Sequence, residues 1–173
     1  MLLPADSAFL FIEGYKKLLL RVLARAHIER TDSIIGDLAK ARSHVKKNPE
    51  AIDWVIAELN EDGASVDPGV TSGVKGMKVD RWIFLRQTKR YAIFLDKEAK
   101  NAYEVKALTT PLDELVGRPP YLIETGLFEY QDHFVCDGLV ANPVALGSLY
   151  KAQFSAAYSA IRKAGLVHVR PSV

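Results

Sequence analysis

The chain has 173 residues, of which 49% are hydrophobic and 25% charged, and its formal net charge is +2. This composition is typical of one globular domain, and the charge is far too small for a dedicated nucleic-acid binder. The single cysteine excludes an internal disulfide and a multi-cysteine zinc site. Because no secretion signal and no run of about 18 apolar residues is visible, we expect a soluble cytoplasmic protein with no membrane partner.

The first third of the chain has the apolar spacing of amphipathic helices. Hydrophobic residues recur at steps of three and four, and polar residues that favour N-cap positions precede two of the runs. A glycine-rich stretch follows, which indicates a connection rather than a packed element. We therefore predict an N-terminal helical segment at 1–62 and a connection at 63–79, with helices over residues 6–26, 32–47 and 48–60.

Beyond residue 80 the hydrophobic pattern alternates with the period of β-strands. Short polar turns separate the runs, so antiparallel hairpins are the simplest connection. The predicted fold is α+β: N-terminal helices, a five-stranded antiparallel meander within 80–173 that is strongly curved or partly closed, and a C-terminal helix packed on the sheet. We expect all segments to form one compact domain. The predicted strands cover residues 82–86, 91–95, 102–108, 121–130 and 133–140.

The stretch HFVCDGLV, residues 133–140, places a histidine, the cysteine and an aspartate close together. Side chains alternate faces along a strand, so His133 and Cys136 point to opposite sides and cannot form a nucleophile–base pair or a pair of metal ligands. Asp137 followed by glycine is typical of a strand that ends in a turn. The alternative is a carboxylate pair, Asp137 with Glu124, that acts as acid and base in a hydrolase-like enzyme.

The remaining patterns contain no motif of an enzyme. The glycines of GVTSGVKGMK, residues 69–78, lack the spacing and the Gly-Lys-Ser/Thr end of a phosphate-binding loop. The sequence has no nucleophile elbow, zinc-protease motif or dinucleotide-binding glycine pattern, and its four histidines lack ligand spacing. We therefore predict no metal, no cofactor and, on balance, no catalytic activity.

Basic residues gather around the first predicted hairpin. Lysine and arginine outnumber acidic residues between 75 and 106, while the balance reverses from 110 to 140. Trp82 and Tyr91 lie in the same segment and could stack on bases if exposed, although their apolar neighbours favour a place in the core. The candidate nucleic-acid contacts are Arg86, Lys89, Arg90, Lys75, Lys78 and Arg81.

Three segments, DRWIFLRQTKRYAIFLD (80–96), ALTTPLDELVGRPPYLIETGLFEY (107–130) and HFVCDGLV with the helix after it, resemble an uncharacterised bacterial family. In that family an aromatic strand pair precedes a hairpin that ends in Asp-Gly-Leu. The resemblance implies a bacterial intracellular protein and carries no activity, cofactor or catalytic residue. This chain has Cys136 where an aromatic residue is commoner, which again indicates packing at that position.

The leading hypothesis from the sequence is a non-enzymatic interaction module that binds a protein or peptide. The contact would use a sheet edge or the groove between helix and sheet, and a homo-oligomer is a further arrangement of this kind. Sequence-tolerant nucleic-acid binding through the basic residues around the first predicted hairpin is the first alternative, and the hydrolase-like carboxylate pair is the second.

Overall fold

The computed structural model describes residues 2–169 and shows an α+β protein with helices before, within and after a seven-stranded sheet. The chain divides into two compact units. Residues 5–77 form the helical unit, and residues 2–4 with 78–169 form the barrel unit, named for the ring of strands described below. The boundary between residues 77 and 78 lies close to residue 80, where the sheet region is predicted to begin. That all segments form one compact domain stays a prediction.

The helical unit is held together by the apolar stripes of its four helices. Phe11 and Leu18 of the first helix are fully buried, as are Ile52, Val55 and Val70 of the third and fourth. Burial at three- and four-residue steps is the reason why these segments are helical in the folded chain. The helices span Ala5–Arg25 (α1), Ile34–Lys47 (α2), Ala51–Glu61 (α3) and Pro68–Lys75 (α4).

The glycine-rich connection predicted at 63–79 contains a helix, α4. The Asp67 carboxylate accepts hydrogen bonds from the backbone N–H groups of Gly69 and Val70, at 2.9 and 3.1 Å. Pro68 lies in the first turn, where its missing N–H has no consequence. The boundary between the two units, at residues 77 and 78, lies within this stretch, but a loop without a helix was the wrong expectation. The Asp67 cap and the buried valines of α4 outweigh the low helix propensity of glycine.

The barrel unit contains seven strands and two helices, and β4 has the bounds that alternation predicts. The strands are Lys78–Gln87 (β1), Ala92–Leu95 (β2), Ala102–Lys106 (β3), Tyr121–Tyr130 (β4), His133–Cys136 (β5), Ala141–Ala145 (β6) and Val167–His168 (β7), and the helices are Leu112–Val116 (α5) and Ser148–Lys163 (α6).

Five of these strands close into a ring. β1 pairs antiparallel with both β2 and β4, and β2 pairs antiparallel with β3. The resulting order β4-β1-β2-β3 is a Greek key. β5 then fills the remaining place, antiparallel to β4 and parallel to β3. The result is a five-stranded Greek-key barrel, which is the architecture of the OB-fold.

The sheet is mixed, whereas the sequence predicts an antiparallel meander. β3 pairs in parallel with β5, where Val105 lies opposite Phe134, and with β7, where Ala102 lies opposite Val167. β6 pairs antiparallel with β4 and is absent from the predicted strands. The prediction was wrong because turn residues show where the chain reverses, but they do not show that β4 returns to β1 and thereby places β5 beside β3.

Strands β1 and β2 bury both of their faces. Their inner side chains fill the barrel core, and their outer side chains pack against α6, so the predicted C-terminal helix on the sheet is confirmed. This double burial explains why both strands read as continuous apolar runs. The inner residues include Trp82, Phe84 and Phe94, and the outer group comprises Ile83, Leu85, Ile93, Leu95, Ala102 and Ile161.

Candidate ligand-binding surfaces

The turn between β1 and β2 is a braced loop that carries two exposed basic side chains. The Thr88 hydroxyl donates to the Tyr91 carbonyl at 2.7 Å and accepts from the backbone N–H groups of Arg90 and Tyr91 at 3.2 and 3.0 Å. Lys89 and Arg90 are exposed at the tip. Because the backbone is already fixed, a ligand there would not have to order the loop.

A β-bulge brings a third basic side chain to the outer surface of the barrel. Phe84 faces the core, so regular alternation would also point Arg86 inward. The register shift between these two residues instead places Arg86 opposite Ile93, which belongs to the outer face. The Arg86 guanidinium carbon lies 5.9 Å from the centroid of the Tyr158 ring on α6, within the range of a cation–π contact.

Two tyrosines accompany these charges. Tyr91 and Tyr158 are half-buried and pack against the outer-face core beneath α6. A hydrogen bond to the Glu104 carboxylate, together with burial, raises the pKa of Tyr91. The phenol therefore stays protonated at neutral pH and engages the carboxylate. We call the surface that carries Arg86, Lys89, Arg90, Tyr91 and Tyr158 the basic hairpin.

The three charges of the basic hairpin differ from neighbouring ones in having no carboxylate partner. Lys97 pairs with Asp80 at 3.3 Å, and Lys100 pairs with Glu98 at 2.6 Å. Both lysines lie on the turn between β2 and β3, at the other end of the barrel from the hairpin. Across residues 2–169, no ion pair involves Arg86, Lys89 or Arg90.

The other three predicted nucleic-acid contacts lie elsewhere. Lys75 belongs to the helical unit and pairs with Asp53 at 2.5 Å. Lys78 and Arg81 are exposed in the first half of β1. At about 3.3 Å per residue, Arg81 is roughly 17 Å from Arg86 along the strand. The structure thus groups three of the six predicted residues.

Asp137 is buried and closes the turn after β5. Its Oδ1 atom accepts hydrogen bonds from the Thr125 hydroxyl at 2.9 Å, the Gly126 N–H at 3.2 Å and the Leu139 N–H at 3.0 Å. Gly138 has a φ of +76°, a conformation that favours glycine. Asp137 therefore has the contacts expected of a residue at which a strand ends in a turn.

Glu124, the candidate partner of Asp137, lies on the other face of β4. Thr125, which binds Asp137, is fully buried, whereas Glu124 is half-buried and lies opposite Arg81 of β1. Neighbouring residues of a strand point to opposite faces, so the sheet separates the two carboxylates. The hydrolase-like pair stays a prediction, and the structure does not bring its members together.

The opposite directions inferred for His133 and Cys136 match the contacts of these two side chains. The Cys136 Sγ lies 3.2 Å from the Thr125 Oγ1 in the core, and the His133 Nε2 lies 3.0 Å from the Lys106 Nζ. Trp82 is also in the core, where its Nε1 donates to the Thr125 carbonyl at 3.1 Å. Of the two aromatic residues considered for base stacking, only Tyr91 therefore reaches the surface.

A second exposed surface lies where β6 leads into α6. Val144, Leu149 and Tyr150 are 53%, 78% and 51% exposed, and we call these three residues the β6–α6 surface. The Tyr150 ring stacks on Phe154 with centroids 6.1 Å apart. Large apolar side chains exposed beside one another are typical of a contact site for a partner.

Within residues 2–169, no cluster of three histidine, cysteine or acidic side chains is arranged to hold a metal ion. None of the helices in this range has the length and apolar character needed to cross a membrane. No protein-family model matches the chain, and no curated protein or solved structure matches it either.

Proposed function

We propose that the barrel unit binds single-stranded nucleic acid, with little sequence preference, through the basic hairpin. The observation that carries this proposal is the cluster of three exposed cations, Arg86, Lys89 and Arg90, with no carboxylate partner within residues 2–169. In OB-fold barrels the loop between the first two strands is one of the ligand-binding loops. Phosphate groups would neutralise these cations and release condensed counterions.

The two tyrosines supply the second component of such a site. Proteins that bind single strands combine positive charge with aromatic rings on which bases stack. Tyr91 and Tyr158 are partly exposed, and the Tyr158 ring lies against Arg86, whose guanidinium plane is itself a stacking surface. Because α6 covers the aliphatic outer face of β1 and β2, the ligand would lie at the hairpin end rather than across the strands.

The test is a fluorescence-anisotropy titration of a labelled single-stranded oligonucleotide at a series of salt concentrations. Three phosphate contacts predict a log–log slope of about −2, since each contact on a single strand contributes about −0.7. The triple variant Arg86→Gln, Lys89→Gln, Arg90→Gln should lose both the binding and this slope.

The matched control removes the same charge from the opposite end of the barrel unit. The triple variant Lys78→Gln, Lys97→Gln, Lys100→Gln should bind within about threefold of the unmodified protein, because exposed charges beyond about 10 Å are screened by salt. Equal losses in the two triple variants would mean unspecific attraction and reject the site. Absence of binding at the lowest salt concentration would reject the function.

Recognition of a protein or peptide by the β6–α6 surface is the second candidate function. Its support is the exposure of Val144, Leu149 and Tyr150 next to β6, which pairs on one side with β4. Peptides selected on the barrel unit from a display library should lose binding to the double variant Leu149→Glu, Tyr150→Glu. The control Leu115→Glu changes an exposed leucine on α5 and should leave their binding intact. Selected peptides that bind both variants equally would exclude this surface.

A further inference from the structure

The helical unit contains a cavity that is unrelated to the surfaces of the barrel unit. It has a volume of about 290 Å³ and lies where α1 and α2 end and α3 begins. This volume is at the small end of the range for ligand pockets, roughly 300–1,000 Å³. The side chains that line it include Val22, Arg25, Glu50, Trp54 and Val55.

The cavity has an apolar floor and an aromatic wall. Val22 and Val55 are almost fully buried, whereas Trp54 is 50% exposed. The Arg25 guanidinium carbon lies 5.2 Å from the centroid of the Trp54 ring. The indole therefore already accepts one cation on its face, and indole is the best of the aromatic side chains for this interaction.

The carboxylate of Glu50 favours a cation in the cavity, whose other ionisable lining side chains are Arg25 and His44. Arg25 is paired with Glu58, so its positive charge is balanced within the helical unit. Glu50 is exposed at the cavity, and no ion pair involves it within the described residues 2–169. Two helix C-termini and one N-terminus meet here, and the negative partial charges of two ends outnumber the positive one. Lys47 lines a neighbouring groove and not this cavity.

We propose that this cavity binds an organic cation, a primary amine or quaternary ammonium group on a small apolar body. The charged group would lie between the Trp54 ring and the Glu50 carboxylate. The apolar body would lie on Val22 and Val55. This site is independent of nucleic-acid binding by the basic hairpin and stands if that function fails.

Saturation-transfer NMR with 2-phenylethylamine tests the proposal, because it detects weak binding on the full chain. A dissociation constant on the order of a millimolar is expected for a ligand of this size. Phenylacetate has the same ring and the opposite charge, and it should not bind. The variant Glu50→Gln should weaken amine binding roughly three- to fivefold, as expected for an exposed charge pair.

Three further variants test whether the Trp54 ring and the position of the carboxylate are required for amine binding. Trp54→Ala should abolish amine binding, whereas Trp54→Phe keeps a ring and should retain part of it, with the fold of each variant checked by circular dichroism. Glu61→Gln removes an equivalent exposed carboxylate at the other end of α3 and should have no effect. Equal binding of phenylacetate, binding that survives Trp54→Ala, or no amine binding to the unmodified protein would each overturn the proposal.

Discussion

One oxygen of Asp137 accepts three hydrogen bonds, and two of the donors are backbone N–H groups, one on β4 and one at the turn after β5. A buried carboxylate next to a histidine and a cysteine in sequence suggests catalysis, but its contacts are those of a structural acceptor. The role of a single residue such as Asp137 is therefore tested by the unfolding free energy that is lost when its hydrogen-bond donors are left without an acceptor.

The variant Asp137→Ala would leave the Thr125 hydroxyl and the Gly126 and Leu139 N–H groups without their acceptor. Each unsatisfied buried group costs roughly 1–3 kcal/mol, so we expect the free energy of unfolding to fall by about 3 kcal/mol. Asp137→Asn keeps a carbonyl oxygen in place and should cost less than half as much. Urea unfolding measures both, and equal destabilisation by the two variants would show that the charge rather than the acceptor is required.

Asp37 of α2 gives a prediction for the pH dependence of stability. Its buried carboxylate accepts the Thr31 backbone N–H at 2.6 Å, the Thr31 hydroxyl at 3.0 Å and the Arg30 Nε at 2.7 Å. The Thr31 backbone hydrogen bond is the largest cause that lowers the pKa of Asp37 below its ordinary 3.8. The folded state therefore binds this proton less readily than the unfolded state does.

The stabilisation by Asp37 is accordingly present above the ordinary pKa of 3.8 and is lost as the pH falls through the lower folded pKa. Asp37→Asn should reduce the loss of unfolding free energy between pH 6 and pH 3, measured by urea titration at several pH values. Asp32→Asn changes an exposed aspartate just before α2 and should keep the original profile. Identical profiles for Asp37→Asn and the unmodified protein would refute this assignment.

At the scale of elements, the bulge in β1 and the docking of α6 determine the basic hairpin. Alternation predicts the strands well, and β4 shows this because apolar and polar residues follow one another between clear turn signals. It could not predict that Arg86 faces outward, because a bulge depends on the partner strand. The contact of Tyr158 with Arg86 was missed for a similar reason, since only the place of α6 on β1 and β2 joins them.

The attachment of α6 depends mainly on Ile161, which is the buried residue of this helix. Ile161→Ala should lower the unfolding free energy of the barrel unit by about 2–5 kcal/mol, because it leaves a cavity against the aliphatic face of β1 and β2. Leu149→Ala changes an exposed residue of the same helix and should stay within about 0.5 kcal/mol. Similar effects of both changes would contradict the packing of α6 described above.

At the scale of the whole molecule, composition and periodicity predict the α+β class and the order of most elements. They predict a strongly curved or partly closed sheet but not the pairing that closes the ring, because β1 and β4 join residues about forty positions apart without any local signal. They also missed α4, because its glycines have a low helix propensity and the pattern does not show that Asp67 caps a helix there. Pairings between distant segments and the covering of one element by another are tertiary properties that a single sequence pattern does not contain.

Ring closure predicts an order of amide protection in hydrogen exchange. β1 and β2 are paired along both edges, whereas the described partner of β6 is β4 alone. Amides of β1 and β2 should exchange only when the barrel opens, and those of β6 should exchange much earlier through local opening. Mass spectrometry of peptic peptides separates these segments, and equal protection of β6 and β2 would argue against the ring as the stable centre of the unit.

The chain has two tryptophans, and each compact unit contains one of them. Trp54 is half-exposed in the helical unit, while Trp82 lies in the barrel core with its Nε1 bonded to a backbone carbonyl. Indole emits at longer wavelength in water than in an apolar interior, so the two emissions differ in colour. A single spectrum therefore reports separately on two parts of one molecule, and Trp54→Phe leaves an optical signal that changes only when the barrel core meets water.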